Sequence, residues 1–92
     1  MKLTLAHCAE PSTEVLFQEV GGEAVLLNLA SERYFGLDPI GTRIWNLLGT
    51  DTRLQHAYAA LCADYDVDPA RLETDLLTLV DQLAEAGLIK VL

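Results

Sequence analysis

RYFGLDPIGTRIW, residues 33–45, decides the fold, because it turns a short strand directly into a proline-started helix with almost no loop. Its first five residues, 33–37, have the aromatic, glycine-punctuated composition of an edge strand. Asp38 is placed to cap a helix, and Pro39 suits a first helical turn, where a missing N–H costs nothing. An edge strand set beside helices is a place where another chain can dock.

Upstream, 15–20 and 23–29 are β-favouring runs separated by Gly21 and Gly22, a pair that accepts the positive φ angles of a tight hairpin turn. In the second run Val25, Leu27 and Leu29 alternate with Ala24, Leu26 and Asn28, so one face is fully apolar and the other partly so. A turn around Ala30, Ser31 and Glu32 leads into 33–37, and the three strands form a meander whose last member lies on the edge. Residues 1–10 supply either an additional short strand or a loose arm.

Downstream of Asp38 the apolar period changes from two to about three and a half. Ile40, Ile44, Leu47 and Leu48 share one face of a first helix, with Trp45 beside them as core, and Gly49 ends it. Asp51 or Thr52 caps a second helix, with a stripe of Leu54, Ala57, Tyr58, Leu61, Cys62 and Tyr65. Asp68 and Pro69 repeat the capping device, and a third helix runs to Ala86, with Gly87 as its stop and 88–92 packing back as a short apolar tail. The expected fold class is α+β, a winged-helix-like arrangement of a three-stranded antiparallel sheet followed by three helices.

The chain has 92 residues with 51% apolar content, which bounds it to one domain, 1–92. At this size folding hides only about two-thirds of the exposable surface, so a deep solvent-free active site would leave little core to hold the fold. A binding module is the expectation, and not an enzyme. Fourteen acidic against six basic residues give a net charge of −8, which repels phosphate backbones and favours a partner carrying lysine or arginine. Nucleic acid is thereby disfavoured. No secretion h-region and no membrane-spanning run is present, so a cytoplasmic location is expected, and Cys8 and Cys62 read as free thiols.

On the third helix Leu72, Leu76, Leu79, Leu83 and Ala86 form the expected core stripe. Leu77, Val80 and Ala84 widen the apolar arc to roughly half the circumference. This flank either packs against the sheet or the tail, or forms one wall of a groove whose other wall is the edge strand. In the second case Glu73, within the arc, and Asp81, at its border, would meet a cationic side chain.

Other signals carry less. Asp64, Asp66 and Asp68 alternate as in a calcium loop, with Asp75 at its twelfth position, but Pro69 stands where that loop needs glycine. His7 and Cys8 point to opposite faces of a strand and could not share a proton. No zinc spacing, phosphate loop or catalytic triad is recognisable, and no cofactor is expected. A winged-helix DNA-binding regulator shares the architecture, but its reading helix should be basic. Residues 69–86 hold Arg71 as their one base against Glu73, Asp75, Asp81 and Glu85.

Leu26, Leu27 and Asn28, then Arg33, Tyr34 and Phe35, then Leu37, Asp38, Pro39, Gly41, Ile44 and Trp45, form an ordered set. With Asp75, Leu76, Leu79, Val80, Leu83, Gly87, Leu88 and Ile89, this set resembles the PqqD-like proteins, also called RiPP recognition elements. Within them it is most similar to the stand-alone members of lasso-peptide biosynthesis. The similarity spans about residues 15–91. It lacks the Pro-Glu that precedes the third strand in the pyrroloquinoline-quinone member, which makes quinone biosynthesis the less favoured role.

The resemblance implies a non-catalytic adaptor that binds the leader of a ribosomally made precursor peptide. The leader would lie as an added antiparallel strand beside the third helix and be presented to a leader protease and a macrolactam-forming synthetase. On that basis Arg33, Tyr34, Phe35, Gly36 and Leu37 would supply the edge, Leu77, Val80 and Ala84 the apolar pocket, and Glu73 or Asp81 a partner for a leader lysine. Whether Tyr34 or Phe35 faces the groove is open. An unpaired edge could also pair with its own copy, so a homodimer is allowed.

Overall fold

The computed structural model describes residues 3–92, as five strands and three helices. In chain order these are β1 (Ala9–Pro11), β2 (Val15–Val20), β3 (Glu23–Asn28), β4 (Arg33–Leu37), α1 (Pro39–Thr50), α2 (Leu54–Asp64), α3 (Pro69–Glu85) and β5 (Ile89–Val91). Strands β2, β3 and β4 form the expected antiparallel meander, and the class is α+β. Gly21 and Gly22 turn its first hairpin at φ 63° and 85°, a conformation in which a Cβ would be strained.

The N-terminal segment is an extra strand. β1 pairs with β5 in a separate two-stranded ribbon, Ala9 opposite Val91 and Pro11 opposite Ile89. The apolar tail thus packs back through a ladder. The arm before β1 is also tied to the link between α1 and α2, because the Leu54 N–H donates to the His7 carbonyl at 3.2 Å and the Ala9 N–H to Thr52 at 2.8 Å. Residues 1 and 2, within the stretch left open as strand or arm, lie outside the described residues.

Both proline-started helices are capped as their sequences demand. The Asp38 carboxylate accepts from the Gly41 N–H at 2.7 Å, and that of Asp68 from the Ala70 N–H at 3.1 Å. The second helix differs: Arg53 is its N-cap and makes no side-chain cap bond, so neither Asp51 nor Thr52 has that role. Asp51 instead accepts from the Arg53 backbone at 3.0 Å and from its guanidinium at 2.6 Å. These hydrogen bonds hold the Asp51 carboxyl well below the usual carboxylate range. Arg43 on α1 and Asp64 on α2 add an exposed ion pair at 2.6 Å.

The core lies between the sheet and the helices. β3 and β4 pack on α1, and α2 packs on both α1 and α3. Leu26, Ile44, Leu48, Leu61, Leu76 and Leu83 are fully buried there, and Trp45 is core as expected. Of the two faces of β3, the inner one carries Ala24, Leu26 and Asn28, all buried, and the wholly apolar set is turned out.

Asn28 explains the inversion. Its side-chain Nδ2 donates to the Ala86 carbonyl at 2.9 Å, satisfying an acceptor at the end of α3. Its Oδ1 accepts from the Ala30 N–H at 3.0 Å and the Ser31 N–H at 3.3 Å, ordering the turn into β4. Gly87, at φ 73°, passes so close that a Cβ would lie 3.1 Å from the Asn28 Nδ2. One side chain therefore fixes the sheet against the end of the third helix.

Asn28→Ala leaves these partners unsatisfied in a half-buried setting and is expected to cost about 1–3 kcal/mol in urea unfolding. Gly87→Ala is expected to cost about 1–2 kcal/mol for its left-handed backbone. Wild-type stability in both variants would show that the clamp holds nothing.

Candidate functional site

β4 bonds to β3 through the pairs Ala24 with Leu37, Leu26 with Phe35 and Asn28 with Arg33, and on its other side it meets no strand among the described residues. None of its backbone groups bonds to a loop or the N-terminal arm among those residues. The strand is nonetheless held at both ends, by the Asn28 clamp at its start and the Asp38 cap at its finish. An edge fixed in this way presents unpaired N–H and C=O groups at a defined spacing.

The register settles which side chain faces the helices. Arg33, Phe35 and Leu37 alternate inward with the buried residues of β3; Leu37 is buried, Phe35 half-buried and Arg33 exposed. Tyr34 and Gly36 point to the outer face, and Tyr34 is 73% exposed. Phe35, not Tyr34, is thus the aromatic ring on the helix side.

A cleft of about 190 Å³ opens beside the start of β4, lined by Asn28, Arg33, Tyr34, Phe35, Ala86 and Leu88. Ala86 and Leu88 were not among the expected site residues. Ala86 had been given to the core stripe, but it is exposed and forms the cleft's far wall. Gly87, as the helix stop, is the signal that could have found both, since it places its two neighbours where the chain leaves α3.

The α3 flank divides. Glu73, Leu77 and Ala84 are half-buried and Asp81 is exposed, so these four form a surface strip. Val80 does not belong with them. It is fully buried in the core with Leu72, Leu76 and Leu83, while Leu79 is only half-buried. The buried stripe is therefore rotated by one position toward the expected groove wall, with α3 packed on α2 and on β5. Leu77 and Asp81 border a shallow hollow of about 220 Å³ shared with Thr78 and with Leu3 of the N-terminal arm. The expected single groove is thus replaced by two hollows that share no lining residue, this one and the cleft beside β4.

The strip's charge is negative, from Glu73 and Asp81, and Arg71 on the same helix is partly engaged by Asp75 at 4.0 Å. A cationic side chain is suited to it and a phosphate backbone is not.

An open sheet edge beside the end of a helix, in a small α+β domain, defines a class of strand-accepting modules. The chain belongs to the PqqD family: the family described as coenzyme PQQ synthesis protein D matches residues 23–89. Among solved structures it is similar to one described as TbiB1 in complex with the TbiA(beta) leader peptide. There the TM-score is 0.83 and the identity 38%, over 88% of this chain and 94% of that one. It also resembles one described as lasso peptide synthetase B1 complexed with the leader peptide. In that case the TM-score is 0.79 and the identity 23%, over 89% and 96% of the two chains, a likeness of fold. No curated protein matches the chain significantly. The family resemblance read from the sequence is confirmed.

Val80→Asp is expected to destabilise the fold by roughly 3 kcal/mol or more, since it buries an unpaired charge. Leu77→Asp on the surface strip is expected to stay within about 1 kcal/mol of wild type. Thermal melts followed by circular dichroism separate the two, and equal melting would contradict the placement of Val80.

Proposed function

We propose that this chain is a leader-binding adaptor of lasso-peptide biosynthesis, which takes up the leader of a precursor peptide as an additional antiparallel strand on β4. The observation that carries the reading is an unpaired edge, pinned at both ends, in a chain 38% identical to a protein whose structure holds a leader peptide. The five residues of β4 span about 17 Å, room for a leader segment of similar length.

Main-chain hydrogen bonds to β4 supply affinity, and alternate leader side chains supply selectivity. Those pointing inward meet Phe35, Ala86 and Leu88 in the cleft and Leu77 and Ala84 along α3. A leader lysine or arginine reaches Glu73 or Asp81. Val80 acts from beneath, holding the strip in place. A disordered leader loses entropy on binding, so affinity between micromolar and nanomolar is expected, about −8 to −12 kcal/mol.

In this reading the whole chain works as one domain, without catalysis, in the cytoplasm, and hands the leader to a protease and a macrolactam-forming synthetase. The missing Pro-Glu before β4 supports a lasso role over a quinone one. No helix is long and apolar enough to cross a membrane among the described residues.

Titrating a labelled leader should give saturable binding, and backbone N-methylation along the leader should weaken it at every second position, by about tenfold per lost hydrogen bond. Absence of binding at tens of micromolar counts against the adaptor role. Binding that ignores N-methylation, or responds with a period near three and a half, counts against strand addition.

A further inference from the structure

The sheet turns a largely apolar face to solvent. Leu16 and Val20 on β2, Val25 and Leu27 on β3 and Tyr34 on β4 share this outer surface, interrupted only by Gln18, Glu23 and Gly36. Leu16 is 56% exposed, Val20 73% and Val25 45%. A small domain gains stability by burying such side chains, and a contiguous exposed apolar patch marks an interaction surface. The Asn28 clamp enforces this choice of face, so the exposure is built into the fold.

The rim of the patch selects its partner. Glu23 and Glu32 border the patch and Asp38 stands at the far end of β4, while the adjacent Arg33 belongs to the opposite face with Asn28. Two hollows on this face carry that acid at their edges, one with Glu23 and Asp38, the other with Glu32 beside Leu27, Leu29 and Tyr34. A second copy would bring the same acidic rim and a net charge of −8 against it. The face is also small: three strands of about six residues cover roughly 300 Å², against about 800 Å² per partner in a standard stable interface. A leader strand added to β4 would continue the same face past Tyr34 and enlarge it.

We infer that the outer face of the β2–β3–β4 sheet is a docking surface for a leader-processing enzyme whose contact patch is apolar and rimmed by lysine and arginine. The occupant's identity rests on the adaptor reading above; the surface meets the cleft only at Tyr34, and Leu16, Val20 and Val25 lie away from it. Leader and enzyme can therefore be held at once, one on the edge and the other across the face.

The test uses the full chain, its labelled leader and the purified protease that cleaves the same precursor. Leu16→Lys with Val25→Lys should keep leader affinity within about twofold while the rate of leader cleavage at sub-saturating chain falls about tenfold or more. Glu23→Gln with Glu32→Gln, which leaves the apolar face intact, should slow cleavage at low salt and match wild type at high salt, where the rim is screened. Wild-type cleavage with both double variants overturns the proposal. So does a wild-type chain that is dimeric by light scattering and becomes monomeric with Leu16→Lys and Val25→Lys, which would assign the face to a second copy. If the wild-type chain binds no leader, the binding arm alone reports it, and the adaptor reading falls together with the occupant named here.

Discussion

The structure depends on the Asn28 side chain, which joins three segments that are distant in sequence. It satisfies the carbonyl at the end of α3 and two N–H groups in the turn that starts β4. A buried amide of this kind is costly unless all its partners are present, so it admits one arrangement of sheet on helix. That arrangement sets the distance between the edge strand and the chain leaving α3, which is the width of the cleft. It also decides which face of the sheet is inside.

The proposed function follows from leaving β4 unpaired while fixing both its ends. A free edge is a hazard for aggregation, and proteins usually blunt it with charge, proline or a covering segment. Here the arm of the N-terminus could have covered it, but β1 is drawn instead to β5 and to the link between α1 and α2. The same chain termini that pair with each other leave the β4 edge available. In the proposed reading, the acidic surface and the half-buried α3 strip favour an extended peptide with apolar and cationic side chains.

Much of this was legible in the sequence because the punctuation is strong. Gly21 and Gly22, Asp38 and Pro39, Asp68 and Pro69, and Gly87 each state where an element starts or stops, and each does so in the structure. What periodicity could not supply was direction. β3 has two apolar-rich faces, and only the long-range bonds of Asn28 choose between them. On α3 an apolar arc of roughly half the circumference leaves its own centre undetermined. In the structure, where α3 packs on α2 and β5, that centre includes Val80 and leaves Ala86 to the cleft. Leu88 was missed for the same reason, since its place depends on where the chain turns after Gly87. The edge strand itself, Arg33–Leu37, was found because its signal is local.

The most direct measurement is amide hydrogen exchange by NMR on the chain with and without leader peptide. If the leader completes the sheet, those amides of 33–37 that exchange fast in the free chain become protected, while those already bonded to β3 change little. Protection confined to helices, with the edge amides still exchanging freely at saturating leader, would contradict strand addition.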